Sequence, residues 1–377
     1  MTAVVADPAE PSGRLIGASL TSAVGSLPLH LLPLTIAAAV AGTDTSPEVA
    51  GLIASALLVG QLIASTLLPV LGVSTISKLW AAVLSVALLG GMVVSGLGGV
   101  VGLLGGWFLV GLSCGGLIFL GTVAAAHFRA PELAFTLRLG IVLVVAGACT
   151  VLVQVTGVLA DYHGYLIWLA VAIAAILGIG NLLYAPASPL LSVGEPGTAA
   201  AFNAPLALGL AAAFVLFVGQ TGLVAYVLFG AAERGMELRH AAWAFAACKI
   251  GSGIWLVAAS QTSKPGSSIR RMALLGVLVA AGGYGISSAG HIAFLFASLI
   301  LFQIAFNSLS AQMQGSIAAT GPHVAGRWIT CSLLLGAAVG PPLHGWAISA
   351  GLEAGFVAFA LSTTALPVLW RIVCRTD

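Results

Sequence analysis

The chain has 377 residues, of which 60% are hydrophobic and only 6% are charged, with a formal net charge of +2. Soluble proteins carry about 25% charged residues, so this composition excludes a soluble enzyme, a nucleic-acid-binding protein and a disordered chain. The mean hydropathy of +1.12 and the recurring apolar runs indicate a polytopic membrane protein. Stretches such as 139–153 are apolar on every face, which favours membrane-spanning helices over the alternating strands of a barrel.

Glycine, proline and charged residues divide the chain into apolar segments, each close to the roughly 20 residues that a membrane-spanning helix needs. The predicted spans 1 to 12 are 15–41, 49–71, 78–96, 100–126, 137–160, 164–184, 205–230, 240–260, 271–287, 291–318, 327–349 and 353–373. The organisation expected from them is a tail at 1–14, a six-helix bundle at 15–184, a linker at 185–204, a second six-helix bundle at 205–373 and a tail at 374–377.

Basic residues give the orientation. With the N-terminus inside, the cytoplasmic segments hold ten of the 13 Lys and Arg residues and the outside loops hold two, Arg234 and Arg239. This bias predicts that both termini and the linker are cytoplasmic. Residues 1–13 contain two acids and no Lys or Arg, so we expect no signal peptide and a bacterial inner membrane as the location.

The two halves are related by a shift of about 188 residues. The shift places Gln61 on Lys249, Thr122 on Ser310, Gly157 on Gly345, and Arg138 within one residue of Arg327. Parallel six-helix repeats with a binding site between them, near the middle of the bilayer, are one architecture of secondary transporters.

The arrangement of six plus six spans around a central loop, with both termini inside, resembles the major facilitator superfamily over nearly the whole chain. The stretch GAAVGPPLHG at 336–345, with its core Gly340, Pro341 and Pro342, is similar to the Gly-Pro helix motif of that family. The equivalent region of span 5 lacks the proline, and the loop GVSTISK at 72–78 lacks the acidic and most of the basic residues that the family carries there. The resemblance implies rocker-switch alternating access, a monomer, and a cavity lined by spans 1, 2, 4, 5, 7, 8, 10 and 11.

Lys249 is the clearest candidate for a functional residue. It lies nine residues into predicted span 8, and none of the eleven acidic residues lies in the middle of a span. A charge at the bilayer centre costs about 2.5–3.5 kcal/mol on insertion scales and marks a functional site by default. We predict that Lys249 is the counter-charge of an anionic substrate; snorkelling to the outer surface or a neutral amine is the alternative.

Uncharged polar residues accompany Lys249 on the spans that the resemblance assigns to the cavity. Span 10 carries Gln303, Asn307, Ser310 and Gln314 on one helical face. Single polar residues lie on other lining spans: His30, Gln61, Gln154, Gln220 and His344. We predict that they bind the substrate, with Gln314 excepted, and that His30 and His344 are the candidates for carrying a proton. Hydrogen bonds between helices are the alternative role.

Three charged residues at span ends are candidates for gating: Arg138 and Arg327 at cytoplasmic ends, and Asp161 at the outer end of span 5. For the arginines the alternative is pairing with Glu132 or with lipid phosphates. His30 lies between Pro28 and Pro33, which can unwind span 1 and free backbone carbonyls.

The sequence predicts no enzyme, metal or cofactor: GLSCG at 111–115 lies inside an apolar helix, and there is no P-loop, HExxH or CxxC. The predicted function is secondary transport of a small organic anion of the carboxylate type, with a co-transported proton or an exchanged solute as second partner. Membrane lipid is expected around the chain, and nucleic acid is not a partner. The alternatives are efflux of amphipathic drugs or metabolites through contacts with Phe side chains, Trp255 and Tyr226, and a membrane scaffold or receptor.

Overall fold

The structure is a computed structural model that describes residues 11–43, 47–71, 78–126, 128, 130–183, 204–262, 269–320 and 322–349. Within these ranges all regular structure is helical. The helices are α1 Pro11–His30, α2 Leu32–Gly42, α3 Pro47–Val70, α4 Lys78–Gly96, α5 Gly99–Ala126, α6 Pro131–Thr156, a 3-10 turn Val158–Ala160, α7 Tyr162–Leu183, α8 Ala204–Glu233, α9 Leu238–Thr262, α10 Ile269–Ser288, α11 Ile292–Thr320 and α12 Pro322–Ser349.

Predicted spans 1 to 11 all correspond to helices, with span 1 divided into α1 and α2. The predicted span 353–373, most of the linker and the C-terminal tail lie outside the described residues. Eight of the described helices are long and apolar enough to cross a membrane, and the bent pair α1–α2 forms a ninth such span. These helices make the chain an integral membrane protein.

The largest boundary error lies at the start of α6, which we predicted at residue 137 and which begins at Pro131. The prediction opened this span at Arg138 and left Glu132 outside it. However, a proline at the first helical position and an acid in the first turn are themselves helix-start signals. As a consequence Arg138 lies seven residues inside the helix and not at its end.

The first span breaks at Leu31, where α1 and α2 meet at an angle of 48°. Pro33 has no N–H to donate to the helix. The N–H of Leu34 bonds to the carbonyl of Leu31 at 2.9 Å, one residue short of its α-helical acceptor, His30. The His30 carbonyl is thereby left available to a partner outside its own helix.

The helices pack as two similar groups, α1–α7 and α8–α12. In the first group α3 and α4 pack on α5, and α1 packs on α5 and α6. The second group repeats the pattern: α9 and α10 pack on α11, and α8 packs on α11 and α12. One apolar cluster, around Leu57, Trp107 and Leu169, belongs to the first group, and a second, around Leu216 and Phe306, belongs largely to the other.

The two groups touch along α6 and α9, where glycines bring the backbones close together. A Cβ at Gly140 would lie 2.9 Å from the carbonyl oxygen of Gly253, and a Cβ at Gly253 would lie 2.7 Å from that of Gly140. Gly147 meets Ile250 and the Ala246 carbonyl in the same way. This line of contact, which we call the glycine seam, holds α6 and α9 closer than larger residues would allow.

The groups also meet at the end of the molecule where α5 and α11 finish and α6 and α12 begin, which we call the closed end. Gly315 of α11 packs on the backbone of Glu132, and a Cβ at Gly326 would lie 3.0 Å from that of Ala126. Thr66 Oγ1 lies 3.2 Å from Cys331 Sγ. At the opposite end α2 packs against helices of its own group, α1, α3 and α7.

Candidate functional site

Lys249 lies on the boundary between the two helix groups. Its side chain is 3% exposed, and its Nζ donates a hydrogen bond of 3.0 Å to the carbonyl oxygen of His30. Gly253 follows Lys249 by four residues and therefore lies on the same face of α9. The glycine seam thus turns this face of α9 towards the first group, and the break at Leu31 supplies the acceptor there.

The surroundings of the Lys249 ammonium contain a ring and a carbonyl but no acid among the described residues. Nζ lies 4.3 Å from the centroid of the Phe245 ring, a cation–π contact. The acids whose side chains the structure describes are Glu132, Asp161 and Glu237, which lie at helix ends. Within the described ranges, the ammonium is therefore buried with no anionic partner.

Arg138 is a second buried cation. Its side chain is 4% exposed, and Nη1 donates to Ser22 Oγ at 3.1 Å and to Thr122 Oγ1 at 2.8 Å. Its Nε is buried and has no hydrogen-bond partner. The guanidinium ties α1, α5 and α6 together inside the first group. Neither acceptor is charged, so these two contacts of Arg138 are not ion pairs. The gating role that we predicted for Arg138 stays a prediction.

The polar face of α11 is buried and bonds along its own helix. Asn307 Nδ2 donates to the Gln303 carbonyl at 2.6 Å and to Gln303 Oε1 at 3.0 Å. Gln314 Nε2 donates to Ser310 Oγ at 2.8 Å. All four side chains are at most 6% exposed. A ligand would have to compete with these internal bonds, but Gln314 Oε1 has no partner and remains available.

The remaining polar candidates lie on other helices: Gln61 on α3, Gln154 on α6, Gln220 on α8 and His344 on α12. Gln61 on α3 is fully buried, and neither its Oε1 nor its Nε2 has a hydrogen-bond partner. Gln154 and Gln220 are half-buried, the first with an unpartnered Nε2. His344 is 9% exposed, and its ring packs against that of Tyr226 at a tilt of 36°, with ring centroids 5.0 Å apart.

Asp161 caps a helix. Its two carboxylate oxygens accept the N–H groups of His163 and Gly164 at 3.1 and 3.0 Å, at the start of α7. The gating role predicted for it remains a prediction. The side chain of Arg327 lies outside the described residues. Trp255, expected to contact a drug in a central cavity, is instead 54% exposed on the outer surface of α9.

Several contacts of the site were missed in the sequence. Ser22 gave no signal, because a serine in an apolar helix most often bonds its own backbone. The Gly140–Gly253 pair is hidden among 48 glycines. Thr66 and Cys331 are 265 residues apart, and their contact depends on the two groups meeting.

The described helices form a polytopic membrane protein with two pseudo-symmetric halves, and a buried cation lies on the boundary between them. Solved structures show the same architecture. The human organic anion transporter MFSD10 (TETRAN) matches with a TM-score of 0.73 and 16% identity over 95% of this chain and 97% of that one. The E. coli fucose:proton symporter FucP matches with 0.65 and 16% over 95% and 97%, and the proton:xylose symporter XylE with 0.67 and 12% over 95% and 93%.

These likenesses show that the chain has the fold of the major facilitator superfamily, an all-α fold of two six-helix bundles, as the sequence predicted. Neither a scan against protein-family profiles nor a search of curated protein sequences finds a match.

Proposed function

We propose that this protein is a secondary transporter that carries a small organic anion across the membrane by rocker-switch alternating access. Lys249 is the counter-charge of the substrate. The observation that carries the proposal is the burial of this cation between the two helix groups, with no acidic partner among the described residues. A carboxylate would replace a neutral carbonyl with a charged acceptor, and charge-assisted hydrogen bonds are roughly twice as strong as neutral ones.

The position of Lys249 links substrate binding to movement of the two groups. The ammonium is on α9 and its acceptor, the His30 carbonyl, is on α1, so the bond crosses the boundary. An anion that recruits the ammonium weakens this contact. A ligand shifts a conformational equilibrium only through a difference in its affinity for the two states, and competition for a bond across the boundary supplies one.

The contacts between the two helix groups at the closed end support a conformation that is shut at that end and open at the other. Under the predicted orientation the closed end is cytoplasmic, and the site would be reached from outside. Rocking about the glycine seam would then separate Thr66 from Cys331 and open the cytoplasmic side. The amides of Gln61, Gln154, Gln220, Gln303 and Asn307, with Ser310, are the proposed hydrogen-bonding partners, and His30 and His344 the proposed proton carriers.

The test is solute flux into liposomes that contain the purified protein. A panel of radiolabelled monocarboxylates is compared with the corresponding neutral amides and with amines of similar size. We expect saturable uptake or exchange of the carboxylates and none of the amides or amines. Uptake of amines and amides in preference to carboxylates would contradict the anion assignment, and no flux of any compound would contradict transport.

The same flux assay addresses the alternative of amphipathic efflux. The stacked pair Phe302 and Phe306, with Phe217 edge-on to Phe306 at 5.4 Å, gives the second group an aromatic cluster beside Asn307. Both stacked rings are 3% exposed, so a bound drug would have to part them. Efflux of apolar cations would favour this alternative over the anion.

A further inference from the structure

The bond from Lys249 to the His30 carbonyl depends on a break in one helix and a buried cation in another. At the break, the carbonyl of Leu31 accepts the N–H groups of Leu34 and Thr35, each at 2.9 Å, and the hydroxyl of Thr35 at 3.2 Å. The N–H that a continuous helix would direct to His30 is thereby taken. A buried carbonyl needs a donor, and the ammonium of Lys249 supplies it from the other helix group at 3.0 Å.

This bond joins two helices that have no extensive packing interface of their own. Lys249 is on α9 and His30 is on α1, whereas α9 packs on the first group along α6, at the glycine seam. The ammonium is also held by its own helix, because the ring centroid of Phe245, one turn earlier, lies 4.3 Å from Nζ. A rotation about the seam therefore moves α1 relative to α9 while the ammonium stays beside the ring. Since donor and acceptor about 3.6 Å apart no longer form a hydrogen bond, such a rotation breaks it.

The consequence differs between the empty and the loaded protein. Without substrate, the rotation leaves the buried ammonium without its acceptor, and the described residues offer no acid in its place. In the loaded protein a carboxylate has already replaced the His30 carbonyl, and it travels with Lys249 on α9. The ammonium then keeps a charged acceptor throughout the rotation. The loaded protein therefore changes conformation more readily than the empty one.

We propose that the protein is an obligatory anion exchanger, in which each organic anion carried one way is matched by a second organic anion carried the other way. This inference rests on the proposed function and assigns its second partner. That partner carries a carboxylate or an equivalent anionic group, because it has to occupy the same ammonium during the return step. A proton alone cannot fill this role, since it supplies no acceptor for the ammonium.

The test compares exchange with net uptake in liposomes that contain the purified full-length protein. Radiolabelled pyruvate, lactate and succinate are each supplied outside, to liposomes that hold either the same unlabelled anion or potassium chloride alone. Valinomycin with equal potassium on both sides clamps the membrane potential, so that accumulated charge cannot slow net uptake. We expect exchange to be faster than net uptake by about 10- to 150-fold, the factor that corresponds to a hydrogen bond with a charged group.

A variant of the break tests the acceptor without changing Lys249. In Pro33→Ala the backbone regains an N–H and the helix can continue, so that the N–H of Leu34 can return to the His30 carbonyl. The bond from Lys249 then weakens in the empty protein, and net uptake should rise towards the rate of exchange. Pro28→Ala is the matched control, because Pro28 lies within α1 itself, and it should leave the ratio of exchange to net uptake unchanged.

The outcomes separate this inference from the proposed function. Equal rates of exchange and net uptake of a carboxylate would overturn obligatory exchange and leave anion transport standing. No flux of any of the three anions, with or without anion inside, would contradict transport itself. An unchanged ratio in Pro33→Ala would show that the bond to the His30 carbonyl does not hold back the empty protein, and would overturn the inference. The comparison on the wild type needs no variant to fold.

Discussion

Replacing Lys249 with methionine should weaken anion binding strongly while leaving the fold nearly as stable as before. Methionine keeps an unbranched apolar side chain that is one atom shorter, and it removes the ammonium group. The loss of the ammonium costs its bond to the His30 carbonyl and its contact with the Phe245 ring. It also removes a charge that is expensive to hold inside a membrane protein.

The opposing free energies are of similar size. Removing a charge from the middle of a membrane helix recovers about 2.5–3.5 kcal/mol on insertion scales. The lost charged hydrogen bond is worth about 1.5–3 kcal/mol, and the cation–π contact about 0.5–2 kcal/mol. The terms cancel to within about 2.5 kcal/mol, whereas the anion loses its charged partner outright. Its affinity should therefore fall by about 10- to 150-fold.

Two measurements on the same preparations check this expectation: the apparent melting temperature without ligand, and the affinity for the transported carboxylate. Arg239→Met is the matched control, because it removes an exposed cation from the same helix. Lys249→Arg keeps the charge and should retain part of the affinity. If Lys249→Met binds the carboxylate as well as the wild type does, or unfolds while Arg239→Met stays folded, Lys249 serves the structure and is not the counter-charge of the substrate.

Three further predictions concern the contacts between helices. Thr66→Cys should form a disulfide with Cys331 on oxidation and stop transport until a reductant is added, since Thr66 Oγ1 and Cys331 Sγ are 3.2 Å apart at the closed end. Gly253→Leu should part α6 and α9 and lower the free energy of unfolding by about 1–3 kcal/mol or more, measured as a lower melting temperature. Thr122→Ala should leave the buried guanidinium of Arg138 short of an acceptor and cost about 1.5–3 kcal/mol, measured in the same way.

Each of these variants has a control on the same chain. A protein with Cys331 alone should transport equally with and without oxidant. Gly251→Leu places its side chain in open space on α9, so an equal loss of stability in both glycine variants would contradict the seam. Thr156→Ala removes a hydroxyl that bonds only to carbonyls of its own helix, and a cost matching that of Thr122→Ala would mean that Arg138 gains nothing from Thr122.

Most of the fold could be predicted from the sequence because each apolar segment carries its own signal. A run of about 20 apolar residues specifies a helix regardless of what it packs against. The break in the first span was also readable, since Pro28 and Pro33 restrict the backbone locally. The start of α6 was predicted six residues late because a short polar stretch, with Glu132 near its beginning, resembles a loop until the contact of its backbone with Gly315 is known.

The candidate site was less predictable because its contacts join distant segments. The sequence identifies Lys249 as a cation without a nearby acid. It does not identify the acceptor, which is a backbone carbonyl and therefore has no residue type to recognise. The stripe on α11 was read correctly as one helical face, but its internal bonds from Asn307 to Gln303 reduce what it offers to a ligand.

The glycine seam and the closed end respond differently when the two helix groups rotate against each other. The seam depends on backbone contact at Gly140 and Gly253, which a rotation about that line can preserve. The closed end depends on side-chain contacts such as Thr66 with Cys331, which any such rotation must break. The bond from Lys249 to the His30 carbonyl lies beside the seam, between Ala246 and Gly253 on α9, and in the proposed function an anion replaces it. Under the proposed function, a substrate that binds Lys249 would therefore weaken a contact beside the seam, and the rotation that follows would break the contacts of the closed end while the seam is kept.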